Sequence, residues 1–160
     1  MKAEVRLDKT DLFRFMFYHM YMRPTGLIYL LVGLISLGAG IWFLVDGNNS
    51  GIFLIVISAV YFVLQPVFLY YKAVQQSRQE VLQRTTVYVI DSAGLHAYQG
   101  TDSSVLPWED VHKAVIFSGE LIVYMSDVRA NVIPLASLHD KDETIAYLQE
   151  KLPKKKRRGF

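Results

Sequence analysis

The chain has 160 residues, of which 52% are hydrophobic and 20% charged, with a formal net charge of +2. Nine Phe, two Trp and ten Tyr on so small a net charge exclude a disordered chain. The absence of cysteine excludes a disulfide scaffold, a thiolate zinc site, an iron–sulfur cluster and a cysteine nucleophile.

Lys2 to Leu7 alternates polar and apolar residues, the pattern of a short strand. Asp8-Lys9-Thr10-Asp11 is a helix-starting signal. Leu12 to Arg23, LFRFMFYHMYMR, is apolar on nearly every side yet too short to span a bilayer. Two placements suit it. It lies in the cytoplasmic interface with Arg14, His19 and Arg23 at the headgroups, or it is a helix buried under the cytoplasmic domain. Residues 1–23 form this leading segment.

Pro24 to Val45 is a run of 22 residues without a charge, and Gly51 to Tyr71 a second of 21. At ~1.5 Å per residue either helix exceeds the ~30 Å hydrocarbon core. Uncharged runs of this length rarely come in pairs in a small soluble protein, so a soluble one-domain reading is set aside. Pro24 suits a first helical turn, where its missing N–H is no loss. The first run is expected to stay on the chain and not to act as a cleaved signal, because it exceeds an apolar signal core and lacks a small-x-small site. Asp46-Gly47-Asn48-Asn49-Ser50 is all turn formers and too short for anything but an antiparallel pair, so residues 24–71 read as a transmembrane hairpin. Its tip carries no Lys or Arg, whereas Arg14 and Arg23 lead into it and Lys72, Arg78 and Arg84 come after it. That asymmetry predicts both termini in the cytoplasm.

Within the first helix Gly33, Ser36 and Gly40 share one face and allow another backbone to approach closely. The face receives the hairpin's second helix or another chain. Pro66 removes one N–H and frees the carbonyl of Phe62, which predicts a kink. Gln65 beside it is expected to satisfy the broken backbone or to face the headgroups, with a ligand path as the alternative.

Residues 72–84 are polar and helix-compatible and read as a linker helix. From Thr85 onward short β-like runs recur with turn signals every 8 to 12 residues. They predict a meander of about six strands in a curled sheet. Leu138 to Leu152 reads as a closing helix, with Ile145, Leu148 and Leu152 on one stripe and Asp140, Asp142 and Glu143 at its start. The predicted fold is therefore a two-helix transmembrane hairpin followed by a small antiparallel β-barrel or curled sheet with one C-terminal helix. Such a barrel over residues 85–152 is the architecture of a pleckstrin-homology-like domain. Residues 153–160 form a polybasic tail behind Pro153, expected to be mobile and unstructured.

The chain combines a Leu7-x-x-x-Asp11 start, two adjacent membrane helices, Thr86-Val87-Tyr88-Val89-Ile90 and Asp91-Ser92-Ala93-Gly94-Leu95 with Pro107-Trp108-Glu109-Asp110-Val111 and Val132-Ile133-Pro134. In these features it resembles the YcxB-like family of bacterial membrane proteins, and the spacing of the W-E-D-V and I-P pair is the specific part of the likeness. Leu135 departs from the pattern, which often has a basic residue after Ile-Pro. The resemblance implies a pleckstrin-homology-like cytoplasmic domain on a membrane hairpin, in a bacterial inner membrane, and implies no activity.

No acid–base or metal chemistry is readable. His19, His96, His112 and His139 are scattered, and no nucleophile or phosphate-loop pattern occurs. Glu109 and Asp110 are adjacent on a strand end, where side chains diverge, so their expected role is turn formation with Trp108 as a buried anchor. The chain is therefore expected to be no enzyme and to need no cofactor. Charge is the functional signal. Residues 72–150 carry six Lys and Arg against eleven Asp and Glu, whereas Lys151 and Lys154, Lys155, Lys156, Arg157 and Arg158 place six positive charges in eight residues. Such a segment is drawn to anionic lipid, or serves only as a solubilising tail; a membrane-anchored acidic domain is a poor nucleic-acid reader. The expected function is a non-enzymatic binding or accessory module at the membrane, for which a regulatory or immunity-type role fits the architecture. Its partners are membrane lipids, a larger membrane protein or a homo-oligomer. The alternative is a component of a transporter or channel formed by oligomerising hairpins, for which Ser36, Ser58 and Gln65 are the polar residues on offer.

Overall fold

A computed structural model describes residues 1–160, and the chain divides into two units. One comprises residues 1–15 and 76–160, the other residues 16–75.

The first unit carries two four-stranded sheets. Strands β1 (Lys2–Val5), β2 (Thr86–Ile90), β3 (Gly94–Gln99) and β4 (Asp102–Pro107) form an antiparallel sheet in that order. The second sheet runs β7 (Ala130–Pro134), β6 (Glu120–Tyr124), β5 (Lys113–Phe117) and β8 (Arg157–Arg158), with β8 parallel to β5 and the rest antiparallel. The leading strand read from alternation is present, and it pairs across the chain with β2, Lys2 opposite Val89 and Val5 opposite Thr86. The two sheets do not close into a barrel. The outer edge of β4 opens on the exposed Asp102-Ser103-Ser104, and the outer edge of β5 is taken by β8 from the far end of the chain. A barrel would need those two edges to pair.

The core lies between the sheets and the closing helix. Val5, Ile90, Leu95 and Leu106 from the first sheet meet Leu121, Val123 and Ile133 from the second, with Leu148 and Leu152 beside them. The closing helix, Lys141–Lys151, is capped by Asp140, whose Oδ1 accepts the Glu143 N–H at 3.0 Å.

Helix α1 spans Lys9–Tyr21. Asp8 starts it: its Oδ1 accepts the N–H groups of Thr10 (2.6 Å) and Asp11 (2.8 Å), and Asp11 Oδ2 accepts the Asp8 N–H at 3.0 Å. This reciprocal arrangement satisfies donors that a helix end leaves open. Every residue of β6 is buried, and alternation explains why. Leu121 and Val123 face the core, while Glu120 and Tyr124 meet Arg14 and Phe15 of α1. Of the two placements open to the leading helix, its first half therefore takes burial against the β unit.

The second unit holds α2 (Pro24–Val45) and α3 (Ser50–Ser77), both long and apolar enough to cross a membrane. Only 11% of the most apolar window of each is buried, unlike the core helix of a soluble protein, and Ile35 and Trp42 are 70% and 72% exposed. Just before Pro66, α3 widens into a π-turn over Val60–Leu64. The Gln65 N–H bonds to the carbonyl of Val60, five residues back, just before the residue that has no N–H to give. A one-turn helix α4, Glu80–Gln83, comes next in the first unit, and the closing helix is α5.

The tail is ordered, against its expected mobility. Lys154–Lys156 form one 3-10 turn and Arg157–Arg158 form β8, with Ala114 opposite Arg157 and Val115 opposite Arg158. An apolar side chain and a glycine help to hold it. Phe160 packs against the core, and Gly159, at φ +78°, brings its backbone so close to the Ile116 carbonyl that a Cβ would lie 2.3 Å from that oxygen.

Candidate functional site

The residues named from the sequence fall into three places. The first is the basic segment. Lys154, Lys155 and Arg158 are exposed, while Lys156 and Arg157 are half-buried. Lys156 Nζ donates to the backbone carbonyl of Glu109 at 3.0 Å, which ties the segment to the turn before β5. Arg157 Nε is buried and has no acceptor within the chain. Gln149, Lys154, Arg157, Gly159 and Phe160 line an open cleft of about 360 Å³ with no acidic side chain in its wall. Arg157 and Lys154 supply the cationic groups of this wall.

The second place is the motif of the resemblance. Trp108, Glu109 and Asp110 form a 3-10 turn between β4 and β5, with Glu109 and Asp110 exposed. Trp108 is mostly buried, as expected, without being fully enclosed. Its ring packs on the core, and its Nε1 donates to the Asp91 carbonyl at 2.9 Å. Asp91 also caps the β2–β3 turn, accepting the N–H groups of Ala93 (2.8 Å) and Gly94 (3.2 Å), with His96 Nε2 3.0 Å from its Oδ2. The Ala93 hydrogen bond leads in holding the Asp91 carboxyl below the usual carboxylate range, helped by Gly94 and His96. Gly94 lies against the Leu106 carbonyl, where a Cβ would stand 2.2 Å from the oxygen. The two motifs thus meet as one hydrogen-bonded corner. Pro134 ends β7, and its carbonyl accepts the Ser137 hydroxyl at 2.7 Å. Leu135, the departure from the pattern, is buried in the core.

The third place is the helix face. Gly33 and Gly40 are buried against α3, Gly33 beside Phe62 and Gly40 beside the Gly51 carbonyl and Ile55, while Ser36 is only partly covered. Ser58 Oγ donates to the Gly33 carbonyl at 2.9 Å and to Leu54 at 3.1 Å. Gly26, Gly33 and Gly40 on one helix and Gly51 and Ser58 on the other repeat every seven residues, the spacing of a close-packed pair. The small face is spent within the hairpin.

One group escaped the sequence reading. Glu120 reads as a turn residue after Ser118-Gly119, yet it opens β6 and is fully buried. Its Oε1 accepts from Arg14 Nη1 at 3.1 Å, and its Oε2 is buried without a partner. Burial pushes the carboxyl up to about 7, with Arg14 opposing and Asp11 adding to the rise. The one signal for it in the sequence is its position, one residue before the unbroken apolar run LIVYM. No group of three or more His, Asp or Glu is placed to hold a metal ion.

The family model described as YcxB-like protein matches residues 90–152, from the end of β2 through α5. This is the family that the motifs resemble, and the match leaves β1, both long helices and the basic segment outside it. No curated protein and no solved structure matches the chain.

Proposed function

We propose that the chain is a non-enzymatic accessory protein of the bacterial inner membrane. Its hairpin spans the bilayer with both termini in the cytoplasm, and a pleckstrin-homology-like domain presents a basic face to anionic lipid headgroups. The observation that carries this reading is the ordered basic segment. Five consecutive basic residues are fixed on the edge of β5 by Phe160 and by Lys156, with Lys154, Lys155 and Arg158 left in solvent. Holding like charges together costs free energy that a nearby anionic surface offsets, at ~1 kcal/mol per basic residue close to the membrane. The hairpin supplies that nearness. The Lys and Arg flanking the helices on the terminal sides, against Asp46 alone at the tip, support the orientation. Two sheets beside one C-terminal helix, with β3 to β7 and that helix inside the stretch matched by the family model, support the domain reading.

The test uses the full chain in bilayer nanodiscs. The chain has no cysteine, so Gln149→Cys in the cleft wall gives a single label site. A fluorophore there is quenched by lipid-borne quencher in anionic discs at low salt. The quenching fades as salt shortens the ~10 Å Debye length of 0.1 M solution. Equal quenching in neutral and anionic discs, or none in either, overturns the reading.

A further inference from the structure

The outward face of α3 carries a polar group that the hairpin does not use. Val60, Leu64, Gln65, Val67, Phe68 and Tyr71 line an open groove of about 720 Å³, nearly all of it apolar. The Tyr71 hydroxyl accepts from Gln75 Nε2 at 2.9 Å. The Gln65 carboxamide makes no hydrogen bond within the chain, not even to the backbone that Pro66 interrupts. The Tyr61 carbonyl, four residues back, accepts the Tyr21 hydroxyl at 3.3 Å.

Gln65 stands fourteen residues beyond Gly51, about 21 Å along the helix at ~1.5 Å per residue, and so inside a hydrocarbon core of ~30 Å. Acyl chains offer it neither donor nor acceptor, and an amide left unpaired there is costly. A carboxamide complements itself: the N–H of one donates to the C=O of another, and the reverse. A second copy of the chain, inserted the same way, carries its Gln65 at the same depth. A two-fold axis along the bilayer normal brings the two amides together with the flanking stripe of Leu64, Val67 and Phe68 packed around them. The small-residue face of α2 plays no part, being filled by α3 of the same chain.

We infer that the chain self-associates in the bilayer through this face of α3, with Gln65 of two copies in reciprocal hydrogen bonds. The inference rests on insertion of the hairpin and not on the lipid docking of the basic segment.

The test reconstitutes the full chain in vesicles of neutral lipid, which silences the electrostatic contact. Single-cysteine variants Leu64→Cys and Phe68→Cys are oxidised, with Ile35→Cys on the outer face of α2 as the control. Disulfide dimers are expected from the first two and not from the third. Energy transfer between labelled copies then measures association against the protein-to-lipid ratio. Gln65→Leu, which keeps the helix and adds apolar surface, is expected to weaken it by about three- to thirtyfold, the range of one interhelical hydrogen-bond pair of ~0.6–2 kcal/mol. A monomer at every ratio, dimers linked through Ile35→Cys instead, or association unchanged by Gln65→Leu each overturns the inference.

Discussion

Glu120 couples the β unit to pH. Its carboxyl is raised to about 7 from an ordinary 4.5, so the folded chain holds a proton that the unfolded chain releases. The stability this contributes is complete below about pH 4.5 and is lost as pH rises through about 7. Amide hydrogen exchange in β6, followed in the full chain, is expected to quicken between pH 5 and 8 beyond the intrinsic rise with pH, on the order of 1–3 kcal/mol of lost protection. Glu120→Gln keeps the shape without the charge and should flatten that profile; a profile unchanged by the substitution would show that another group titrates. Arg14→Ala should steepen it, because the buried carboxylate loses the cation that opposes the shift. Trp108 makes a second residue-scale case. Being half-buried, its truncation to Ala should cost about 2–3 kcal/mol, below the full range for an enclosed ring. Trp108→Phe loses the bond to the Asp91 carbonyl and should cost about 1 kcal/mol. Chemical denaturation of the two variants measures both, and equal costs would show that the hydrogen bond contributes most of the anchor.

At the scale of elements, β8 is held in place by the residues on its C-terminal side. Phe160→Ala should release Arg157–Arg158 from β5, seen as fast exchange at the β8 amides with the rest of the second sheet protected. Retained protection at β8 would show that the backbone pairing alone suffices. In the hairpin, Gly40→Val should force α2 and α3 apart, since even a Cβ at Gly40 lies 2.9 Å from the Gly51 carbonyl. These elements also mark what the sequence could show. Uncharged runs and a turn of Asp, Gly, Asn and Ser state a hairpin without help from tertiary structure. Alternation in Lys2 to Leu7 states a strand, but not that its partner is Thr86–Ile90, because register over such a separation is a property of the folded sheet. The order of the tail is hidden for a related reason. Its composition reads as solvated charge, whereas its order comes from one Phe on the core and one Gly at a positive φ. The π-turn is hidden because Pro66 demands a change in the bonding ladder without saying which. Glu120 is hidden because a carboxylate next to Ser-Gly reads as turn chemistry until α1 is known to cover it.

For the whole molecule, the chain joins two apolar helices to a β unit that is acidic apart from one strongly basic segment, which is bound back onto its second sheet. Docking of that segment on anionic lipid depends on which side of a membrane the unit occupies. On the proposed reading, the charge asymmetry around the hairpin puts the unit in the cytoplasm and Asn49 in the turn outside. The native chain has no cysteine, so single cysteines report position without background. Asn49→Cys, in the exposed turn of the hairpin, and Asp102→Cys, at the exposed start of β4, can be treated in intact cells with a membrane-impermeant maleimide. Asn49→Cys should be labelled from outside, and Asp102→Cys only after the inner membrane is permeabilised. Labelling of Asp102→Cys in intact cells, with Asn49→Cys protected, would contradict the orientation and with it the basic face held at the cytoplasmic leaflet.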